Sequence, residues 1–172
     1  MRASETTDYH AARLLILIDA FTDSNERFDG LTKLAKLDFL LRYPVLLERL
    51  LEKRKLTWTP LLEPTISERS AVESRMIRHK YGPWDNRYYP LLGSLVSRDL
   101  VTVSGDRTGL AIRLTATGRR LAGELADTEE WRTVAGRSRF LKRHFNSTGN
   151  KLKLMIYAGL PDVVDRPRRS VI

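Results

Sequence analysis

No cysteine occurs anywhere in the 172 residues, which excludes disulfide staples, cysteine-based zinc sites and a thiol nucleophile and fits a reducing compartment. Long apolar runs are also missing. The longest aliphatic stretch, Leu14 to Ile18, is far short of the roughly 20 residues that cross a bilayer, and the opening MRASETTDYH lacks the basic-then-apolar design of a secretory signal. A soluble, cytoplasmic protein with no membrane partner is expected. Only three histidines are present, His10, His79 and His144, too far apart in sequence for a recognisable ligand motif. The phosphate-loop pattern GxxxxGK[ST] and the GxSxG elbow are absent. Ser147-Thr148-Gly149-Asn150-Lys151 is only a loop containing glycine and lysine. Glu129 and Glu130 are adjacent and so point to different sides of a helix. No catalytic, cofactor or metal site is expected, and the functions that remain are those of surfaces.

What is present is a helix, a hairpin and a closing helix between residues 78 and 125. Leu91, Leu92, Leu95 and Val96 recur at helical spacing, so a helix over about 85–98 has one face to bury. Pro90 inside it predicts a bend, with 85–89 as a turn and the proline restarting the helix. Val101 and Val103, then Leu110, Ile112 and Leu114, alternate with Thr102, Ser104, Ala111 and Arg113, the period of half-exposed strands over 100–104 and 110–115. A two-stranded ribbon alone is marginal in water, so its apolar face is expected on the neighbouring helices. Thr115 is placed to cap the helix that begins at Ala116, and Leu114-Thr115-x-x-Gly118 is a moderately specific winged-helix pattern.

Further helices are expected on both sides. Residues 8–21 carry Leu14, Leu15, Ile18 and Phe21 on one stripe, and 22–30 read as a polar connector. Residues 31–42 are apolar around much of the circumference, which predicts a central helix. Pro44 suits a first turn and starts a helix to about 55; 56–65, with Pro60 and Pro64, form a loop, and 67–80 a weak surface helix. Asp127 is a plausible N-cap for a basic helix whose stripe is Trp131, Val134, Ala135, Leu141 and Phe145. Residues 146–150 break it, a short helix spans 151–160, and the tail is expected to be loose. The fold class is mostly α with a small β-hairpin (α+β): a winged-helix core with helical N-terminal part over 1–126, and a basic helical extension over 127–172 packed on the same domain.

The net charge of +9 has to be located before it is used. Residues 131–172 carry ten basic and two acidic side chains, whereas 91–130 carry five and six. A DNA-binding winged unit would use Arg87 and Arg98 on its helix and Arg107 at the wing tip, yet the unit is nearly neutral, a poor phosphate footprint. Arg137, Arg139, Lys142 and Arg143 do not all share one face and could meet phosphate, an acidic protein or only water. The aromatic cluster Tyr81, Trp84, Tyr88 and Tyr89 fits a stacking platform, an interface hot spot or local core, with core or partner binding favoured.

Three stretches, GLTKLAKLDFLLRYP (30–44), MIRHKYGPWDNRYYPLLGSLVSRDLV (76–101) and RLTATGRRLA (113–122), together resemble the middle component of the bacterial ABC-three-component systems, which overlap with the Lamassu defence systems. The block YGPWDxRYYP is the specific part, and the resemblance continues weakly into KLKLMIYAGLP. It implies a non-catalytic winged-helix accessory subunit in an antiphage or anti-plasmid complex. There an SMC-like or Rad50-like ABC ATPase senses foreign DNA and holds the nucleotide, and a nuclease-like effector subunit acts. The aromatic block would then be protein-binding or core, and DNA would be contacted through the complex. The alternative is a winged-helix transcription regulator that binds duplex DNA itself.

Overall fold

The structure, a computed structural model, describes residues 3–23, 26–75 and 87–164. Its centre is the helix α2 (Leu31–Arg42), nine of whose twelve residues are buried. Leucines at 31, 34, 37, 40 and 41, with Ala35 and Phe39, leave no wide polar face, so neighbours pack on several sides. Those neighbours are α1 (Ala3–Phe21), α3 (Pro44–Lys53), α7 (Arg132–Phe145) and α8 (Gly149–Gly159). Two charged side chains, Lys36 and Asp38, are carried inside with it. Burial, and then the neighbouring Lys153, pull the Lys36 ammonium down to about 8.

Around this centre α1 packs on α5 (Tyr88–Ser97), α6 (Ala116–Ala126) and α7. Among the described residues the remaining helices are α4 (Ile66–Arg75) and α9 (Pro161–Val164). The C-terminal elements share the core of the N-terminal ones: Phe140, Leu141, Phe145, Leu152 and Ile156 belong to the same buried cluster as Leu14, Leu34 and Leu47. Trp131 and Ala135 add a smaller patch against Ile16.

The sheet departs from the expected two-stranded ribbon. It has three antiparallel strands in the order β1-β3-β2, with β1 (Phe28–Asp29), β2 (Val101–Asp106) and β3 (Gly109–Leu114). Val101 faces Leu114 and Val103 faces Ile112 in the hairpin, while Phe28 pairs with Ile112 on the other edge. β3 is therefore the middle strand, and Ala111, expected on an exposed face, is buried. A strand of two residues has no alternation to read. The signal within the polar connector was one aromatic residue, Phe28, which is buried against Phe21 at 5.8 Å between ring centroids.

Local chemistry sets the helix ends. Thr115 Oγ1 accepts from the Gly118 N–H at 2.9 Å and donates to the Asp99 carbonyl at 2.6 Å, so one hydroxyl caps α6 and ties it to the end of α5. A methyl group on Gly118 would lie 1.9 Å from the Leu100 carbonyl oxygen, which is why glycine follows the threonine at that spacing. Helix α4 starts with a reciprocal capping box, Glu68 N–H to Thr65 Oγ1 at 3.1 Å and Thr65 N–H to Glu68 Oε2 at 2.8 Å. Asp127, expected to start α7, instead ends α6, and α7 begins only at Arg132 after a turn in which Thr128 Oγ1 accepts from the Trp131 N–H. Glu129 and Glu130 consequently lie ahead of the helix. Pro90 falls in the first turn of α5, where its missing N–H would have no helical partner anyway.

Candidate functional site

The start of α5 is held by a buried polar cluster made from three helices. Asp38 on α2 is fully buried, and its carboxylate accepts from Arg13 of α1 in fork geometry, Nε to Oδ1 at 2.7 Å and Nη2 to Oδ2 at 3.1 Å. The Tyr88 hydroxyl donates to Oδ2 at 2.7 Å. Every member is buried, so the cluster is worth little as net attraction but is costly to break. Burial and the Asp38 charge push the Tyr88 hydroxyl above its ordinary pKa. Arg13 Nη1 lies 2.7 Å from His10 Nδ1; burial, then the charges of Arg13, Arg42 and Arg87, lower His10 to about 4. The imidazole is neutral at pH 7, and its Nδ1 accepts from the guanidinium.

This placement corrects the reading of Tyr88 as a partner-binding residue. Its side chain is an anchor inside the protein, 3 % exposed. Its neighbour Tyr89 faces outward at 60 % exposure. With Pro90, Gly93 and Val96 it forms the outer side of α5, and no charged residue lies between Arg87 and Arg98. Arg87 is exposed at the start of the helix. Arg98 is ion-paired to Asp8 of α1. Arg107 stands exposed at the hairpin tip, where the Asp106 carboxylate accepts from the Thr108 N–H at 2.7 Å and holds the turn. Tyr81 and Trp84 lie outside the described residues.

On α7 the basic residues divide. Arg137 is buried and donates to the carbonyls of Leu62 and Glu63 at 2.9 and 3.0 Å and to Glu68 at 2.7 and 3.0 Å. It fastens the 56–65 loop to the helix and is not available to a nucleic acid, which corrects that expectation. Lys142 is also turned inward in part: its Nζ donates to the Phe21 carbonyl at 3.0 Å and lies 3.7 Å from Glu26. Arg139 and Arg143 are exposed. Beside them lies a residue that sequence reasoning missed, Leu61, which is 93 % exposed and has φ +72°. A left-handed conformation at a leucine costs about 1–2 kcal/mol, and nothing among the described residues covers the side chain. The adjacent leucines between Pro60 and Pro64 were the available signal.

Among the described residues no group of three or more His, Asp or Glu side chains is placed to hold a metal ion, and no helix is long and apolar enough to cross a membrane. Comparison with protein-family models, curated proteins and solved structures finds no match to this chain.

Proposed function

We propose that this chain is a non-catalytic winged-helix accessory subunit that works by docking on other proteins, with an SMC/Rad50-like ABC ATPase of a bacterial ABC-three-component, Lamassu-like defence complex as its main partner. The observation that carries the docking part is the outer side of α5, where Tyr89, Pro90, Gly93 and Val96 offer no charge. In a winged-helix protein that reads DNA, the helix before the hairpin enters the major groove, and phosphate attraction supplies much of the affinity. An uncharged face carrying an exposed tyrosine and valine is better matched to a protein interface, whose core is poor in charge and rich in aromatic residues. The order helix, short strand, helix, and later helix and hairpin, with strands ordered β1-β3-β2, supports the winged-helix reading. The ATPase, the nuclease-like effector, DNA contact through the complex and the cytoplasmic setting follow from the sequence resemblance.

The rival reading, a regulator that binds duplex DNA, has Arg107 in its favour, exposed at the hairpin tip with no ion-pair partner among the described residues. Affinity purification of the tagged protein from its native host separates the two. The expected result is a stoichiometric coiled-coil ATPase, lost on Tyr89→Asp while the melting temperature holds, together with weak DNA binding by the isolated chain. Recovery of the protein alone, with tight dimeric binding to one duplex site and a steep salt dependence, would install the regulator instead.

A further inference from the structure

A second surface, between the 56–65 loop and α7, is shaped for a partner of definite chemistry. Arg132, Gly136, Arg139 and Arg143 follow at steps of three and four residues and so form one stripe along α7. The loop that Arg137 fastens runs beside this stripe, close enough that a methyl group on Gly136 would lie 2.6 Å from Leu62 Cδ2 and oblige that side chain to turn. Between loop and helix is an open groove of about 640 Å³, and among the described residues Glu129 is the one acidic side chain lining it. Leu61, Leu62 and Phe140 supply apolar lining, and the three arginines line it with positive charge.

Several features of the groove are unexplained by the chain alone. Leu61 combines a left-handed backbone with almost complete exposure, so its strain is not offset by burial among the described residues. Arg139 and Arg143 have no ion-pair or hydrogen-bond partner among the described residues. They are one helical turn apart, about 6 Å along the axis, a spacing that two carboxylates at i and i+4 of a second helix reproduce.

We propose that this groove seats an acidic amphipathic segment of a partner protein, with its apolar side chains on Leu61 and Leu62 and its carboxylates on Arg132, Arg139 and Arg143. Charge complementarity selects this occupant. The chain's own segments 76–86 and 165–172 are net basic, with Arg78 and Lys80 against Asp85 and with Arg166, Arg168 and Arg169 against Asp165, and so carry the same sign of charge as the stripe. A nucleic-acid strand would satisfy the arginines but leave the leucines uncovered. Among the described residues it would also find no stacking surface, since Phe140 is buried and packed against Trp58 at 5.1 Å. The proposal stands independently of the role given to α5.

The test is display of short random peptides against the full chain, with counter-selection on an R132E/R139E/R143E variant and anisotropy on the enriched sequences. Peptides mixing Asp or Glu with Leu, Ile or Phe are expected. Their binding should weaken about tenfold or more on the triple variant, drop on Leu61→Asp, and fall as salt is raised. Should the triple variant fail to fold, R139Q/R143Q serves in its place and is expected to weaken binding in the same direction. Enrichment of peptides without acidic residues, or of none that tell wild type from variant, overturns the proposal. So does single-stranded DNA that binds through the same arginines when no peptide does. A wild-type dimer in sedimentation that the charge-reversed variant dissolves would make the occupant a second copy and equally overturn it.

Discussion

Two arginines, Arg13 on α1 and Arg137 on α7, are both buried and both held by a carboxylate, yet they serve different ends. Arg13 meets Asp38, which has no exposed surface, and through it Tyr88, so that three helices share one polar knot inside the core. Arg137 meets Glu68, whose side chain is 36 % exposed, and spends its other donors on the backbone of a loop. The first knot fixes how helices are arranged. The second holds a surface in shape. A buried ion pair is weak evidence for stability in itself; what differs here is what is left behind when a partner is removed.

The comparison breaks most visibly at Asp38. Asp38→Ala leaves the Arg13 guanidinium and the Tyr88 hydroxyl buried without their acceptor, and a loss of about 3–5 kcal/mol is expected in denaturant unfolding; a loss under about 1 kcal/mol would show the knot to be dispensable. Arg137→Met is expected to lose less, about 1–3 kcal/mol, because Glu68 can turn to water. Its distinguishing mark is local: hydrogen exchange should rise over 56–68 while α2 stays protected.

Acid separates the knots by pH window. His10 titrates near 4 in the folded chain against an ordinary 6.5, so between these values the unfolded chain binds more protons and stability rises with pH. The contribution is complete above about 6.5 and is lost as pH falls toward 4. At Glu68 burial pushes the carboxyl up, but the hydrogen bonds from Arg137 and Thr65 outweigh it and leave the group below its ordinary 4.5. That knot therefore weakens only in stronger acid. His10→Asn, which retains an acceptor for Arg13, should flatten the stability curve between about 4 and 6.5 and leave the lower limb in place. The smallest effect is expected from Arg139→Glu with Arg143→Glu, within about 0.5 kcal/mol, since these exposed side chains have no partner to lose among the described residues.

Much of the fold was legible because its signals are local. The all-round apolar sequence of α2 announced a central helix, the alternation over 101–114 announced the hairpin, and Leu114-Thr115-x-x-Gly118 announced a cap whose geometry allows no side chain at the glycine. The third strand was not legible, because two residues carry no period and their pairing partner is distant in sequence. The knots were not legible either. Nothing near Asp38 in sequence points to Arg13 or Tyr88, and Arg137 differs from Arg139 only in the direction its helical position faces. That the basic residues of α7 do not share one face was legible from their spacing; which of them packing turns inward was not. The docking groove depends on a loop with no periodicity at all.

The two-residue strand β1 has a kinetic corollary. The hairpin joins Asp106 to Gly109, a closure of the kind that forms in microseconds, whereas Phe28 must find Ile112 across more than eighty positions and bear a loop-closure entropy that grows with the logarithm of that separation. The hairpin is accordingly expected to form before β1 joins it, only marginally stable by itself, with the outer edge of β3 open until α1 and α2 have packed and delivered Phe28–Asp29. An open edge is a template for any passing strand. The refolding chain is thus most exposed to misassociation in that interval, and concentration-dependent losses on refolding should track mutations that slow the docking of α1 and α2 rather than those that weaken the hairpin.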